Sequence, residues 1–140
     1  MTLPEKDLNG KEFQAAGLAG KPVLILVIRP YHNGVRKELP LLKKAVAYAQ
    51  SKGVQVLGAV YNYYWTPKLK KQAIDFVKRE KLSFPCLPVC RDWVKRYGIL
   101  TLPSHVLVSA GGKVLYHLDG ALGEQWKLNA LVDVLSEVAK

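Results

Sequence analysis

The stretch Val23-Leu24-Ile25-Leu26-Val27-Ile28 decides the fold class. Its residues do not alternate between apolar and polar, so a strand built from them is buried on both faces, as in a parallel sheet covered by helices. Gly20-Lys21-Pro22 punctuates the chain just before it, and an irregular segment, Arg29-Pro30-Tyr31-His32-Asn33-Gly34, follows. Leu39, Leu42, Val46 and Ala49 then recur at helix spacing, and Ser51-Lys52-Gly53 ends the pattern. Pro40 lies inside this helix and predicts a bend.

Working outward, Val54 to Tyr61 reads as the next strand. Thr66-Pro67 reads as an N-cap with proline at the first helical position, ahead of an apolar face of Leu69, Ala73, Phe76 and Val77. Phe84-Pro85-Cys86-Leu87-Pro88 breaks that helix, and Val89 to Tyr97 predicts a short one closed by Gly98. His105–Ser109 and Lys113–Leu118 are two strands joined across Ala110-Gly111-Gly112. A terminal helix carries Leu128, Leu131, Val132, Leu135 and Val138 on one face. Upstream, Asp7-Leu8-Asn9-Gly10-Lys11 is a hairpin turn. There are no repeats or low-complexity linkers. The pattern predicts one α/β domain over residues 1–140, a mixed sheet with helices on both sides.

Composition agrees. With 140 residues, 49% of them hydrophobic and 23% charged, the chain has the balance of an ordinary globular protein rather than a disordered, collagenous or coiled-coil one. The Val23–Ile28 run is far short of the roughly 18–20 apolar residues that cross a bilayer. Met1-Thr2-Leu3-Pro4 carries no basic-then-apolar leader. The expected location is cytoplasmic if the chain is complete and extracytoplasmic or periplasmic if a leader was trimmed. A net charge of +10 favours acidic partners. Tyr61, Tyr63, Tyr64 and Trp65 stand beside Lys68, Lys70 and Lys71, but no nucleic-acid motif surrounds them, so nucleic acid is not expected.

Several segments carry a family likeness in order along the chain: Leu8-Asn9-Gly10-Lys11 to Gly20-Lys21-Pro22-Val23-Leu24, Arg36-Lys37-Glu38-Leu39-Pro40, Lys52 to Gly58, and Phe84-Pro85 through Tyr97-Gly98-Ile99 to Leu102-Pro103. Together they resemble the thioredoxin superfamily, and within it the TlpA-like thiol-disulfide reductases and their AhpC/TSA peroxiredoxin relatives. The resemblance implies a thioredoxin-like three-layer α/β/α sandwich with a mixed central sheet and an N-terminal β-hairpin. It also implies a cis bond at Leu102–Pro103 and a protein or peptide substrate bound beside it.

The departure is at the site. Aligned on Arg36, the family's Cys-x-x-Cys falls on His32-Asn33-Gly34-Val35. Exchange needs a thiolate that attacks a disulfide sulfur and a second thiol that resolves the mixed disulfide. An imidazole at His32 and an isopropyl group at Val35 supply neither. Pro103, Tyr31, His32 and Glu38 are the candidate substrate-binding residues. Glu38 matches a carboxylate near the active cysteines of some relatives, although a surface helix residue is the plainer reading. A helix start favours a neutral His32 ring, which could act as a base or ligand, while Asn33-Gly34 reads as turn chemistry.

Cys86-Leu87-Pro88-Val89-Cys90 lies outside the family pattern. With Pro88 holding Cys86 in an extended entry and Cys90 in the first turn of a helix beside Arg91, the two are candidate catalytic cysteines, Cys90 as nucleophile. Their spacing closes a disulfide if the Cα atoms come within roughly 4.4–6.8 Å. Two buried free cysteines are the alternative, since free cysteine is commonly buried. A soft-metal site with His32 or His105 ranks below both, and no metal or cofactor is expected. Two functions stay open: an oxidoreductase-related protein with a relocated redox pair, or a redox-silent module that grips a peptide or acidic protein partner at the former active-site groove.

Overall fold

The computed structural model describes residues 3–14, 20–120 and 125–138. Nine elements follow in order: β1 Val23–Ile28, α1 Asn33–Ser51, β2 Gln55–Tyr61, α2 Pro67–Glu80, β3 Cys86–Val89, α3 Arg91–Arg96, β4 Ser104–Val108, β5 Val114–Asp119 and α4 Gln125–Val138. The strands form one sheet in the order β3-β2-β1-β4-β5. β1 pairs parallel with β2 and antiparallel with β4, β2 pairs parallel with β3, and β4 pairs antiparallel with β5. Every residue of central β1 is buried, as its unbroken apolar run requires.

The two faces have separate cores. Leu24, Leu26 and Ile28 of β1 pack with Val35, Leu39, Leu42 and Val46 of α1, Phe76 of α2, and Leu131 and Leu135 of α4. Val23, Ile25 and Val27 face the other way, onto Leu57, Leu87, Val106 and Trp93 of α3. Each large side chain so buried contributes about 1.5–3 kcal/mol. α1 runs through Pro40, which is exposed, and Thr66 caps α2 by accepting from the Leu69 N–H at 3.2 Å. Leu128 of the expected terminal face lies outside the described side chains.

Two expectations need correction. The segment taken as a helix breaker is strand β3, and α3 begins at Arg91 rather than Val89. Phe84 and Leu87 each precede a proline, which drives them towards extended backbone, and an edge strand tolerates Pro88 because the outward side needs no N–H. The expected N-terminal hairpin is present and short: Lys6 bridges Glu12 antiparallel, the Asp7 N–H donates to the Lys11 carbonyl at 2.8 Å and the Phe13 N–H to the Glu5 carbonyl at 2.7 Å. Asp7 Oδ1 accepts from the N–H groups of Asn9 and Lys11 at 2.8 and 3.0 Å, which holds the turn tight. Buried Leu8 then donates its N–H to the Cys86 carbonyl at 3.1 Å, so the turn covers the β3 edge.

Candidate functional site

The carboxyl ends of β1 and β2, the start of α1 and the loop before β4 converge, and each is placed by a short-range constraint. Beyond β1 the chain reverses through Tyr31 at φ 62°, and His32 becomes the N-cap of α1. Its Nδ1 accepts from the Val35 N–H at 3.3 Å, satisfying one of the unpaired donors of a helix start. A nitrogen that accepts carries no proton, so Nε2 is the ring nitrogen left for a ligand.

Across from this helix start, the Leu102–Pro103 bond is cis. A Cβ on Gly34 would stand 3.2 Å from the Leu102 carbonyl oxygen and 3.1 Å from His32 Cε1, so glycine is what lets the loop lie against α1. The loop is held from behind. Ser104 Oγ lies 2.7 Å from both the Thr101 carbonyl oxygen and Asp119 Oδ1, and the Leu100 N–H donates to the same carboxylate oxygen at 3.2 Å. His117 Nε2 is 3.3 Å from that oxygen. These hydrogen bonds and the His117 charge hold the Asp119 carboxyl below its ordinary value against the opposing effect of burial. The Gly120 N–H donates to the Pro103 carbonyl at 2.8 Å and ties the loop to the end of β5.

Between these elements lies a groove of about 490 Å³, lined by Arg29, His32, Tyr61, Val94 and the Ile99–Leu102 loop. Of the expected substrate-binding residues, only His32 lines it. Pro103 is buried beneath the loop it shapes. Tyr31 turns towards α2, edge-on to Phe76 at 5.7 Å between centroids and under the Arg79 guanidinium at 5.6 Å. Glu38 is 3% exposed, buried on the α1 core face rather than at the surface. Sequence reasoning missed Arg29, Tyr61 and Asp119. Arg29 could have been found, since ligands of open α/β sheets bind beyond the carboxyl ends of the strands.

Cys86 and Cys90 are both free, and neither lines the groove. Because β3 is extended, their Cα atoms are about 13 Å apart at ~3.3 Å per residue, well beyond the span a disulfide bridges. Cys86 Sγ packs where a Gly58 Cβ would be, 3.0 Å away, and burial, with the Asp7 carboxylate adding, pushes its thiol up to about 12. Cys90 is the half-buried N-cap residue of α3, not a first-turn residue, and its side chain makes no cap hydrogen bond. Among the described residues no three His, Cys, Asp or Glu side chains gather to hold a metal. His105, the other metal candidate, is fully buried in β4, where burial lowers its pKa to about 4 against the smaller opposing effect of the Leu118 backbone.

Residues 1–117 match the family model described as the AhpC/TSA family. The thiol-disulfide oxidoreductase ResA of Halalkalibacterium halodurans is 28% identical over 121 residues, covering 86% of this chain and 66% of its own length. The thiol:disulfide interchange protein DsbE of Xylella fastidiosa is 29% identical over 125 residues, covering 86% of this chain and 58% of its own. This chain thus spans about three-fifths of the length of those relatives. A secreted Mycobacterium tuberculosis disulfide oxidoreductase superposes with a TM-score of 0.71 at 22% identity, covering 93% of both chains, which shows the shared thioredoxin-type α/β fold.

Proposed function

This chain belongs to the AhpC/TSA family, and from that premise we propose that it binds an extended segment of a protein partner in the groove between His32 and the Leu102–Pro103 loop, without exchanging disulfides there. The observation that carries this reading is the chemistry at the start of α1. His32 occupies the position of the family's attacking cysteine, with Nδ1 accepting from the Val35 N–H, and the resolving position is a buried valine. No sulfur stands at either place, so no mixed disulfide can form. The groove, about 490 Å³ and with Val94, Ile99 and Leu102 in its lining, has room for an extended chain.

The relatives are thiol-disulfide oxidoreductases by name, and that supports a protein partner for this chain as well. A second reading keeps the exchange and gives it to Cys90, helped by Cys86. Its support is the partial exposure of Cys90 at the start of α3 with Arg91 next to it. It requires β3 to leave the sheet edge, because the pair cannot close while Cys86 to Val89 stay extended. Insulin reduction with dithiothreitol separates the two. The groove reading expects turnover no faster than dithiothreitol alone, and unchanged in Cys86→Ala/Cys90→Ala. Turnover that the double variant abolishes establishes the second reading instead.

A further inference from the structure

We propose that the segment held in this groove is acidic, its carboxylates taken by Arg29 in the groove lining and by Arg91 beyond it at the same end of the sheet, while an apolar side chain enters the floor; the inference rests on the groove reading above. Arg29 leaves the carboxyl end of β1 and lays its guanidinium over the Tyr61 ring, 6.0 Å from the centroid. Arg91 opens α3, lies 5.0 Å over the Tyr63 ring and donates from Nη1 to the Tyr63 hydroxyl. Tyr61 ends β2 and Tyr63 follows two residues later, so both cations lie at the carboxyl end of the sheet, Arg29 on the β1 side of β2 and Arg91 on the β3 side.

A guanidinium held beside an aromatic ring keeps donors along its edge, and that planar fork meets a carboxylate with two hydrogen bonds. Among the described residues, neither arginine has a carboxylate within ion-pair distance. No acidic side chain among the described residues lines the groove. Three described acids are placed elsewhere: Asp119 faces Leu100 N, Ser104 and His117, Glu38 is buried on the core face of α1, and Asp92 sits on the exposed first turn of α3. The net charge of +10 adds long-range attraction of the same sign.

The floor argues for a polypeptide rather than a nucleic acid. Val94, Ile99 and Leu102 offer aliphatic surface, and Leu100 stands at the rim 83% exposed. Bases bind single-strand proteins by stacking on open aromatic faces. Within the groove the aromatic side chain is Tyr61, and Arg29 already lies over its ring at 6.0 Å, while the exposed Tyr63 and Tyr64 rings stand outside the groove lining.

The test uses three fluorescent nine-residue peptides with blocked ends, alternating Glu, Gln or Lys with Val, and a twelve-nucleotide oligo-dT, read by anisotropy at low and high salt. The Glu peptide is expected to bind tightest, about tenfold tighter than its Gln counterpart at low salt, with the advantage shrinking as salt rises. Arg29→Gln/Arg91→Gln, checked for an unchanged circular dichroism spectrum, should erase that advantage. Lys113→Gln, in the β4–β5 turn at the far end of the sheet, should keep it. Equal binding of the Glu and Gln peptides, or tighter binding of the Lys peptide, overturns the acidic preference while leaving the groove reading in place. Binding of none of the three defeats the groove reading itself. Oligo-dT binding tighter than the Glu peptide, and lost in the double arginine variant, overturns the choice of a polypeptide.

Discussion

Acid should unfold this protein through His105. The ring is fully buried on β4, opposite Leu26 of β1 and Leu118 of β5; neither nitrogen reaches full hydrogen-bond geometry among the described residues, and the Leu118 backbone offsets only part of the effect of burial. Burial holds its folded-state pKa near 4, against 6.5 for the ordinary side chain. Between those two values the unfolded chain binds a proton that the folded chain refuses, so stability falls as pH drops through that window and is fully retained above it. At 1.36 kcal/mol per pKa unit, the whole interval corresponds to about 3 kcal/mol, and about 2 kcal/mol of that develops between pH 7 and pH 4.5. Ordinary carboxylates, with pKa values of about 4, begin to protonate at the low end of this range, so the informative quantity is a difference between two proteins. His105→Leu keeps the volume similar, removes the titration and removes two polar atoms from the core. Urea denaturation at pH 7 and at pH 4.5 should show the wild type losing about 2 kcal/mol more than His105→Leu over that interval. Equal losses in the two proteins refute the reasoning, because they mean the ring is hydrated or paired in solution.

Three further outcomes follow from the site. At pH 8 Cys90 should react with an alkylating reagent well before Cys86, whose thiol near 12 leaves only about one molecule in ten thousand as thiolate; mass spectrometry of the folded protein reads the order, and prior labelling of Cys86 contradicts the burial described. Asp119→Asn should weaken the hold on the Leu100–Ser104 loop, with a loss of about 1–2 kcal/mol and faster hydrogen exchange at Leu100. Gly34→Ala should push the Leu102 carbonyl off the start of α1, lowering stability by about 1–3 kcal/mol and shifting the amide resonances of Thr101 and Leu102.

Much of the fold could be read from residue order because its strongest element is also its most central. β1 announces itself by an unbroken apolar run, and Thr66-Pro67 marks the start of α2 by two independent preferences. β3 escaped notice because Pro85 and Pro88 look like breakers, whereas an edge strand accepts them. The extended entry expected for Cys86 runs on as strand through Val89, which carries Cys90 out of the helix and beyond the reach of a disulfide. The burial of Glu38 was legible in principle, since it shares the stripe of Val35, Leu39 and Leu42. The placing of Arg29 and Arg91 was not. Arg29, Tyr61, Tyr63 and Arg91 come from the ends of three strands, and only the β3-β2-β1 order brings them to one end of the sheet. Likewise, Asp119 reaches the Leu100–Ser104 loop only because β5 pairs Asp119 with Ser104.

The most direct test of the account is a titration of ¹⁵N-labelled protein with reduced, carboxymethylated α-lactalbumin, an unfolded polypeptide whose blocked cysteines cannot enter exchange. The account predicts saturable shifts in the amides of Gly34, Tyr61, Thr101 and Leu102, with Lys52 and Lys113 at the other end of the sheet unmoved. Shifts confined to β3 and the start of α3, or none at the groove, contradict it.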